Sequence, residues 1–155
     1  MKWITRERPK IDRVACPWLI ARFIDTDAEF LFVPPDSVQR VANETGAIPY
    51  DVEGVELSHD GPLCSFDAFL RKYQVSDPYL HSIATIVRGA DTATLDLAPQ
   101  CAGLLAISLG LSRLFSDDHE QLMHGFVIYD ALYAWARDAR AETHTWNPQK
   151  RSASA

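Results

Sequence analysis

From Cys64 onward the chain is written mostly in the period of helices, and before Cys64 it is not. That change of period is the strongest constraint on the fold. "SFDAFLRKYQV" sets Phe66, Phe69, Leu70 and Tyr73 on one stripe. "DPYLHSIATIVRGAD" opens with Asp77 as N-cap and Pro78 as the first helical residue, where a missing N–H costs nothing. Gly89 is expected to end that helix. "DLAPQCAGLLAISLGLSRLF" again has Pro near a helix start, and its Ala and Gly content lets a neighbouring helix come close. "SDDHEQLMHGFVIYDALYAWARDAR" takes Ser116 as N-cap, with acids in its first turn and arginines near its end, an order that suits the helix dipole.

Upstream the apolar runs are short. "KWIT" (2–5), "EFLFVP" (29–34) and "AIPYDV" read as strands, and "VELSH" is a candidate fourth, with Val55 and Leu57 alternating against Glu56 and Ser58. Between them a helix is expected with Asp12 as N-cap and Pro17 early or at a break, and with Trp18, Leu19, Phe23 and Ile24 facing the core. "PDSVQRVANETGA" is a brief helix closed by Gly46. The chain of 155 residues holds one core and not two comfortable ones. The expected architecture is therefore α+β: a helix-rich single domain over residues 1–142, with a small N-terminal sheet and a helical C-terminal half. A flexible tail is expected over 143–155.

Composition narrows the function. The net charge is −6, so no basic surface for nucleic acid is expected, although a local basic pocket for a small anion is compatible with it. Cys16, Cys64 and Cys101 are odd in number and widely spaced, and no CxxC pair occurs. Reduced thiols in a cytoplasmic protein are the simpler reading. The start, "MKWITRERPK", is too charged for a signal peptide, and "CAGLLAISLGL" is too short to span a bilayer. No membrane partner is expected.

Four constellations carry chemistry. "VELSHDGPLCSFDAF" places Glu56, His59, Cys64 and Asp67 within a dozen residues, either as metal ligands or as a polar loop with a capping Asp and a buried Cys. In "IVRGAD", Arg88 ends a mainly apolar helix and Asp91 lies where the helix C-terminus already carries partial negative charge, so Asp91 needs a cation nearby, an arginine or a metal. In "DRVACPWLIARF", Arg13, Trp18 and Arg22 suit either an anion pocket or a half-buried helix whose arginines reach the surface. Asp130 in "GFVIYDALYAW" has uncharged neighbours one turn away and must pair, protonate or bind a metal; an ion pair to Arg13 or Arg22 is the first expectation. His119 and His124 are five apart and so do not make an HExxH pair.

Together, "KWITRERPKIDRVACPWLIARFID", "EFLFVPP", "AIPYDVEGVELSH", "CSFDAF", "TIVRGADT", "LDLAPQCAGLLAISLGLS" and "YDALYAW" resemble the chromate-resistance protein family. The likeness runs from about residue 2 to about residue 137, nearly the whole chain. This is the domain found as the C-terminal half of the chromate-responsive regulator and also in stand-alone proteins. The resemblance implies a place in chromate resistance, not DNA binding. Its blocks carry Arg13, Trp18, Arg22, Glu56, His59, Cys64, Asp67, Arg88 and Asp91, the positions already singled out.

Three readings follow. In the first, Arg13, Trp18, Arg22 and Arg88 bind chromate or a similar oxyanion, with His59 and Asp91 orienting groups in the pocket. In the second, Glu56, His59 and Asp91 hold a divalent metal (Mn, Fe or Zn), Cys64, Asp67 and Asp130 support the site, and a redox or hydrolytic step becomes accessible. A superoxide-dismutase-like role would suit chromate stress, but the Asp-x-Trp-Glu-His block of iron and manganese dismutases is absent. In the third, the chain is a regulatory interaction module whose apolar final helix pairs with a second copy or with a regulator.

Overall fold

A computed structural model of the chain describes residues 1–145 and Gln149. The expected tail over 143–155 therefore lies largely outside the described residues. A three-stranded parallel sheet in the order β2-β1-β3 is formed by β1 (Lys2–Arg6), β2 (Glu29–Val33) and β3 (Ile48–Pro49). Lys2 to Arg6 pair with Glu29 to Val33 in unbroken register, while Trp3 and Ile4 face Ile48 and Pro49. Parallel neighbours need crossovers. α1 (Asp12–Leu19) carries the chain from β1 to β2, and α2 (Val38–Thr45) carries it from β2 to β3.

The central strand alternates between two cores, because successive side chains leave opposite faces. Trp3 packs on Phe69 and Tyr73, with ring centroids 5.8 and 6.3 Å away. Ile4 turns to the other face and joins Val38, Ala42 and Ala47. Both faces of β1 are thus covered, as parallel sheets require.

The helical half follows as α3 (Ser65–Lys72), α4 (Pro78–Asp91), α5 (Cys101–Leu114) and α6 (Asp118–Ala134). The helix-rich α+β class read from the sequence is the class of the structure. Asp77 caps α4, its Oδ1 accepting the Tyr79 N–H at 2.8 Å, with Pro78 as the first helical residue. Among the described residues no helix is long and apolar enough to cross a membrane.

Six local expectations change. Asp12 is the first residue of α1 and not its cap, for reasons that belong to the site below. The helix after Leu19 widens into a π-type turn over Ile20–Ile24, which rotates the side chains that follow; Phe23 is left 40% exposed instead of buried. β3 shrinks to two residues, because Pro49 has no N–H to donate and Asp51 turns the chain at φ +51°. "VELSH" is no strand: the Asp51 N–H donates to the Leu57 carbonyl at 2.8 Å and folds the segment back on itself. Ser116 yields the cap of α6 to Asp117, whose carboxylate accepts the Glu120 N–H at 2.8 Å and also meets the helix dipole.

Gly89 does not end α4, which runs on to Asp91. Its role is close approach. A Cβ at this position would lie 2.3 Å from the Cys101 Sγ and 2.9 Å from the Thr94 carbonyl oxygen. Gly89→Ala is expected to lower the unfolding free energy by about 1–3 kcal/mol through overpacking. Urea denaturation measures it, and Cys101→Ala in the same chain should return part of the loss. An unchanged midpoint in the single variant would mean that α5 can retreat at no cost.

Candidate functional site

In an open parallel sheet, ligands bind beyond the carboxyl ends of the strands, where successive connections diverge. In the order β2-β1-β3 that point lies between β1 and β3. A cleft of about 940 Å³ opens there. Arg6, Lys10 and Arg13 come to it from the end of β1 and the start of α1, Asp51 from the end of β3, His59 from the following loop, and Asp91 from the C-terminus of α4.

His59 is the hub. Its Nε2 lies 3.0 Å from Asp91 Oδ2, 3.4 Å from Asp51 Oδ1 and 3.6 Å from Asp12 Oδ2. One ligating atom each from Asp12, His59 and Asp91 fall within 4.8 Å of one another. Asp12 is fully buried. Its Oδ2 accepts the Ser65 N–H at 2.7 Å, and its Oδ1 accepts the Phe66 N–H at 3.1 Å and the Cys16 S–H at 3.2 Å. From α1 it therefore caps α3, satisfying two N–H groups that a helix start leaves free. Asp51 accepts the Ser65 hydroxyl at 2.7 Å and pairs with Arg6 at 3.1 Å and Arg13 at 3.4 Å. Arg13 is further held by the carbonyls of Arg6 and Glu7, both at 3.0 Å.

The charges are unequally compensated. Asp51 has two guanidinium partners, whereas Asp12 and Asp91 share one imidazole. Burial, then the charges of Asp51 and Asp91, push the Asp12 carboxyl well above the usual carboxylate range. Burial, then Asp51, raises Asp91, with His59 and Arg13 pulling it back down. Burial, then Asp12, raises both the Cys16 and the Cys64 thiols. Both sulfurs are therefore neutral S–H groups at neutral pH, and not thiolate ligands or nucleophiles.

Backbone strain surrounds the site. Arg8, Ile11 and Asp51 take φ of +56°, +40° and +51°. For a β-branched residue such as Ile11 this is a true outlier, and such strain collects at functional sites. The helical half holds it in place. Gln121 of α6 donates to the Pro9 carbonyl at 2.6 Å, and Tyr129 of α6 donates to the Ile11 carbonyl at 3.1 Å. Arg8 donates to the carbonyls of Ser112, Phe115 and Ser116. The loop that presents Lys10 and Asp12 is thus clamped by α5, α6 and the turn between them.

Of the positions singled out in the sequence, the fold brings His59, Asp91 and Arg13 together. Glu56 stands apart: it pairs with Lys72 and its side chain is 70% exposed, because the fold-back at Leu57 turns it outward. Cys64 and Asp67 form a capping box on α3, with Asp67 accepting the Cys64 N–H at 3.0 Å. Arg88 is the partner of Asp67, at 2.8 Å, and not of Asp91; it ties α4 to α3. Trp18 and Arg22 meet at neither cleft nor metal cluster but on Asp130. The indole N–H donates to Oδ1 at 2.8 Å, and Arg22 grips both oxygens at 3.0 Å. The expected Arg22–Asp130 pair exists, yet Asp130 is not desolvated; it is half exposed, and the hydrogen bonds of Arg22 lower its pKa. Sequence reasoning missed Asp12 as a site residue, together with Arg6, Lys10 and Asp51. The available signal was charge placed directly after short apolar strands, in "TRERPKID" and "PYD".

Comparison with known proteins bears on the same residues. The family described as "ChrB, C-terminal domain" matches residues 3–136. Protein ChrB of Cupriavidus metallidurans is 29% identical over 151 residues, covering 97% of this chain but 42% of that protein. The chain thus spans less than half the length of the curated relative it matches. No solved structure matches it. The match extends over nearly the whole sheet and helical half, including every element that builds the cleft: this chain belongs to the ChrB C-terminal domain family.

Proposed function

We propose that the chain serves chromate resistance as a binding domain. Asp12, His59 and Asp91 hold one divalent metal ion, and Arg6, Lys10 and Arg13 draw an oxyanion such as chromate into the same cleft. Membership of the ChrB C-terminal domain family supports the chromate-resistance role. The observation that carries the metal is the convergence of an imidazole and two carboxylates from three separate segments within 4.8 Å. Asp51 is paired with Arg6 and Arg13, whereas Asp12 and Asp91 have no arginine or lysine ion-pair partner among the described residues. Two carboxylate oxygens and one imidazole nitrogen suit Mn, Fe or Zn. A bound dication would supply the missing positive charge. Glu56, Arg22 and Arg88 have no part in this reading, since each is committed elsewhere.

Untagged protein should carry about one metal per chain by elemental analysis, and His59→Ala should lose most of it. Arg22→Ala, remote from the cleft, should retain it. A chain without stoichiometric metal, and without uptake of added Mn, Fe or Zn, ends the metal reading. Calorimetry at low salt tests the oxyanion: chromate or sulfate giving no heat at millimolar concentration removes that half.

One observation favours a second reading, that of a metal-dependent redox or hydrolytic enzyme. Three protein donors in an open cleft is the number typical of catalytic rather than structural metal sites. Superoxide dismutation by the metal-loaded chain, abolished in His59→Ala, would support it. Buried, protonated Cys16 and Cys64 make direct reduction of chromate by these thiols unsuited to the site.

A further inference from the structure

The cleft is far larger than the ligand just assigned to it. A bare tetrahedral oxyanion displaces roughly two or three waters, on the order of 60–90 Å³ at about 30 Å³ per water. The cleft measures about 940 Å³, within the range of sites that enclose whole metabolites. Its lining also has two characters. Arg6, Lys10 and Arg13 line it, as do the carboxylates of Asp51, Glu53 and Asp91. Val38, Val52 and Val55 supply an apolar part of its wall. Val38 and Val52 continue the small core around Ile4 and Ala42, so this wall is part of the folded body and not a loose loop surface. An inorganic anion makes no use of such a wall. A carbon skeleton does, at about 25 cal/mol per Å² of apolar surface removed from water.

Lys10 sharpens the assignment. Arg6 and Arg13 are engaged with Asp51, whereas Lys10 is exposed at the cleft and its ammonium has no ion-pair or hydrogen-bond partner among the described residues. It is the cation free to meet a charge brought from outside. With a dication on Asp12, His59 and Asp91, the cleft as a whole becomes positive.

We propose that the cleft takes an organic monophosphate, with its phosphate held by Lys10, Arg13 and Arg6 beside the metal cluster and its carbon body against Val38, Val52 and Val55. This rests on the metal reading above for its charge balance. Chromate then enters as an analogue of the phosphate head group, sharing its tetrahedral shape and charge but not its body.

The test is calorimetry on Mn-loaded protein with adenosine monophosphate, glucose 6-phosphate and phenyl phosphate, each against inorganic phosphate, with metal content measured on the same samples. At least one ester should bind about 10-fold more tightly than inorganic phosphate. Lys10→Ala should weaken ester and inorganic phosphate alike. Val52→Trp, which fills the apolar side, should cost about 10-fold for the ester only and leave metal content unchanged. If none of the three esters exceeds inorganic phosphate, or if Val52→Trp leaves ester affinity intact, the inference is overturned while the metal reading stands. A chain that holds no metal but still prefers the esters through Val52 would support the cleft assignment and remove the metal reading.

Discussion

Asp12→Ala is expected to lower the unfolding free energy by about 2–4 kcal/mol and to abolish divalent-metal binding in the same step. The stability loss has a local cause. The Asp12 carboxylate accepts the Ser65 and Phe66 N–H groups, and its removal leaves two buried donors without partners, each worth about 1–3 kcal/mol. Part of that is offset, because the carboxyl is buried beside Asp51 and Asp91 and its charge is unwelcome there. Asp12→Asn separates the two roles. It keeps one acceptor and removes the charge, so it should fold with a smaller loss. If Asp12 is one of the three proposed donors, Asp12→Asn should still cost more in metal affinity than the 10–100-fold typical of outer-shell changes. Urea denaturation and metal titration on the two variants decide the matter. An Asp12→Ala chain within about 0.5 kcal/mol of wild type would show that α3 does not depend on this cap.

Stripped of metal, the chain should become more stable as pH falls through the raised carboxyl values of Asp12 and Asp91 towards the ordinary carboxylate range, the reverse of ordinary acid lability. Asp12 and Asp91 have folded pKa values raised above those of the unfolded chain, first by burial and then by the charge of Asp51, with Asp91 adding to the shift of Asp12. The folded state therefore binds more protons than the unfolded state, and stability declines as pH rises. Their contribution is complete below the ordinary carboxylate pKa near 4 and is lost as pH climbs through the raised folded values. Asp25, Asp130 and Asp138 act in the opposite sense, since their pKa values are lowered. Asp130 and Asp138 lie in solvent-exposed pairs, and Asp25 pairs with the exposed N-terminal ammonium, so screening keeps such effects small. Metal held as proposed should reverse the trend: it would bind the deprotonated carboxylates, release protons, and so bind and stabilise more strongly as pH rises. Melting curves across this range, with EDTA and with Mn, measure both slopes, and Asp12→Asn should flatten the EDTA series. EDTA-treated protein whose stability is level or climbs with pH would refute the charge imbalance on which the metal site depends.

Some of this site is legible in the chain because the signals are local. Pro78 after Asp77, the helical stripe through Phe66 and Phe69, and the Gly46 stop each act within a turn, and each stands in the structure. The spacing of Arg22 and Trp18 on one helix likewise brings both to Asp130. The blocks that identify the family are also linear, so membership needs no coordinates.

Local signals fail where a side chain is claimed from far along the chain. Asp12 has the sequence context of a cap for its own helix, but it caps one that begins 53 residues later. Glu56 sits three residues from His59 and is turned away by one backbone hydrogen bond. Arg88 sits three residues from Asp91 and goes instead to Asp67.

The amino-acid sequence by itself determined where α4 starts and α2 stops, which face of α3 is apolar, and to which family the chain belongs, because these depend on neighbours within a few residues. Only the tertiary structure decided which carboxylates meet His59. That outcome depends on the strand order β2-β1-β3, which opens a crevice between the ends of β1 and β3, and on α4 ending at the same crevice. Contacts of that kind arise from packing between distant segments and leave no period in the chain.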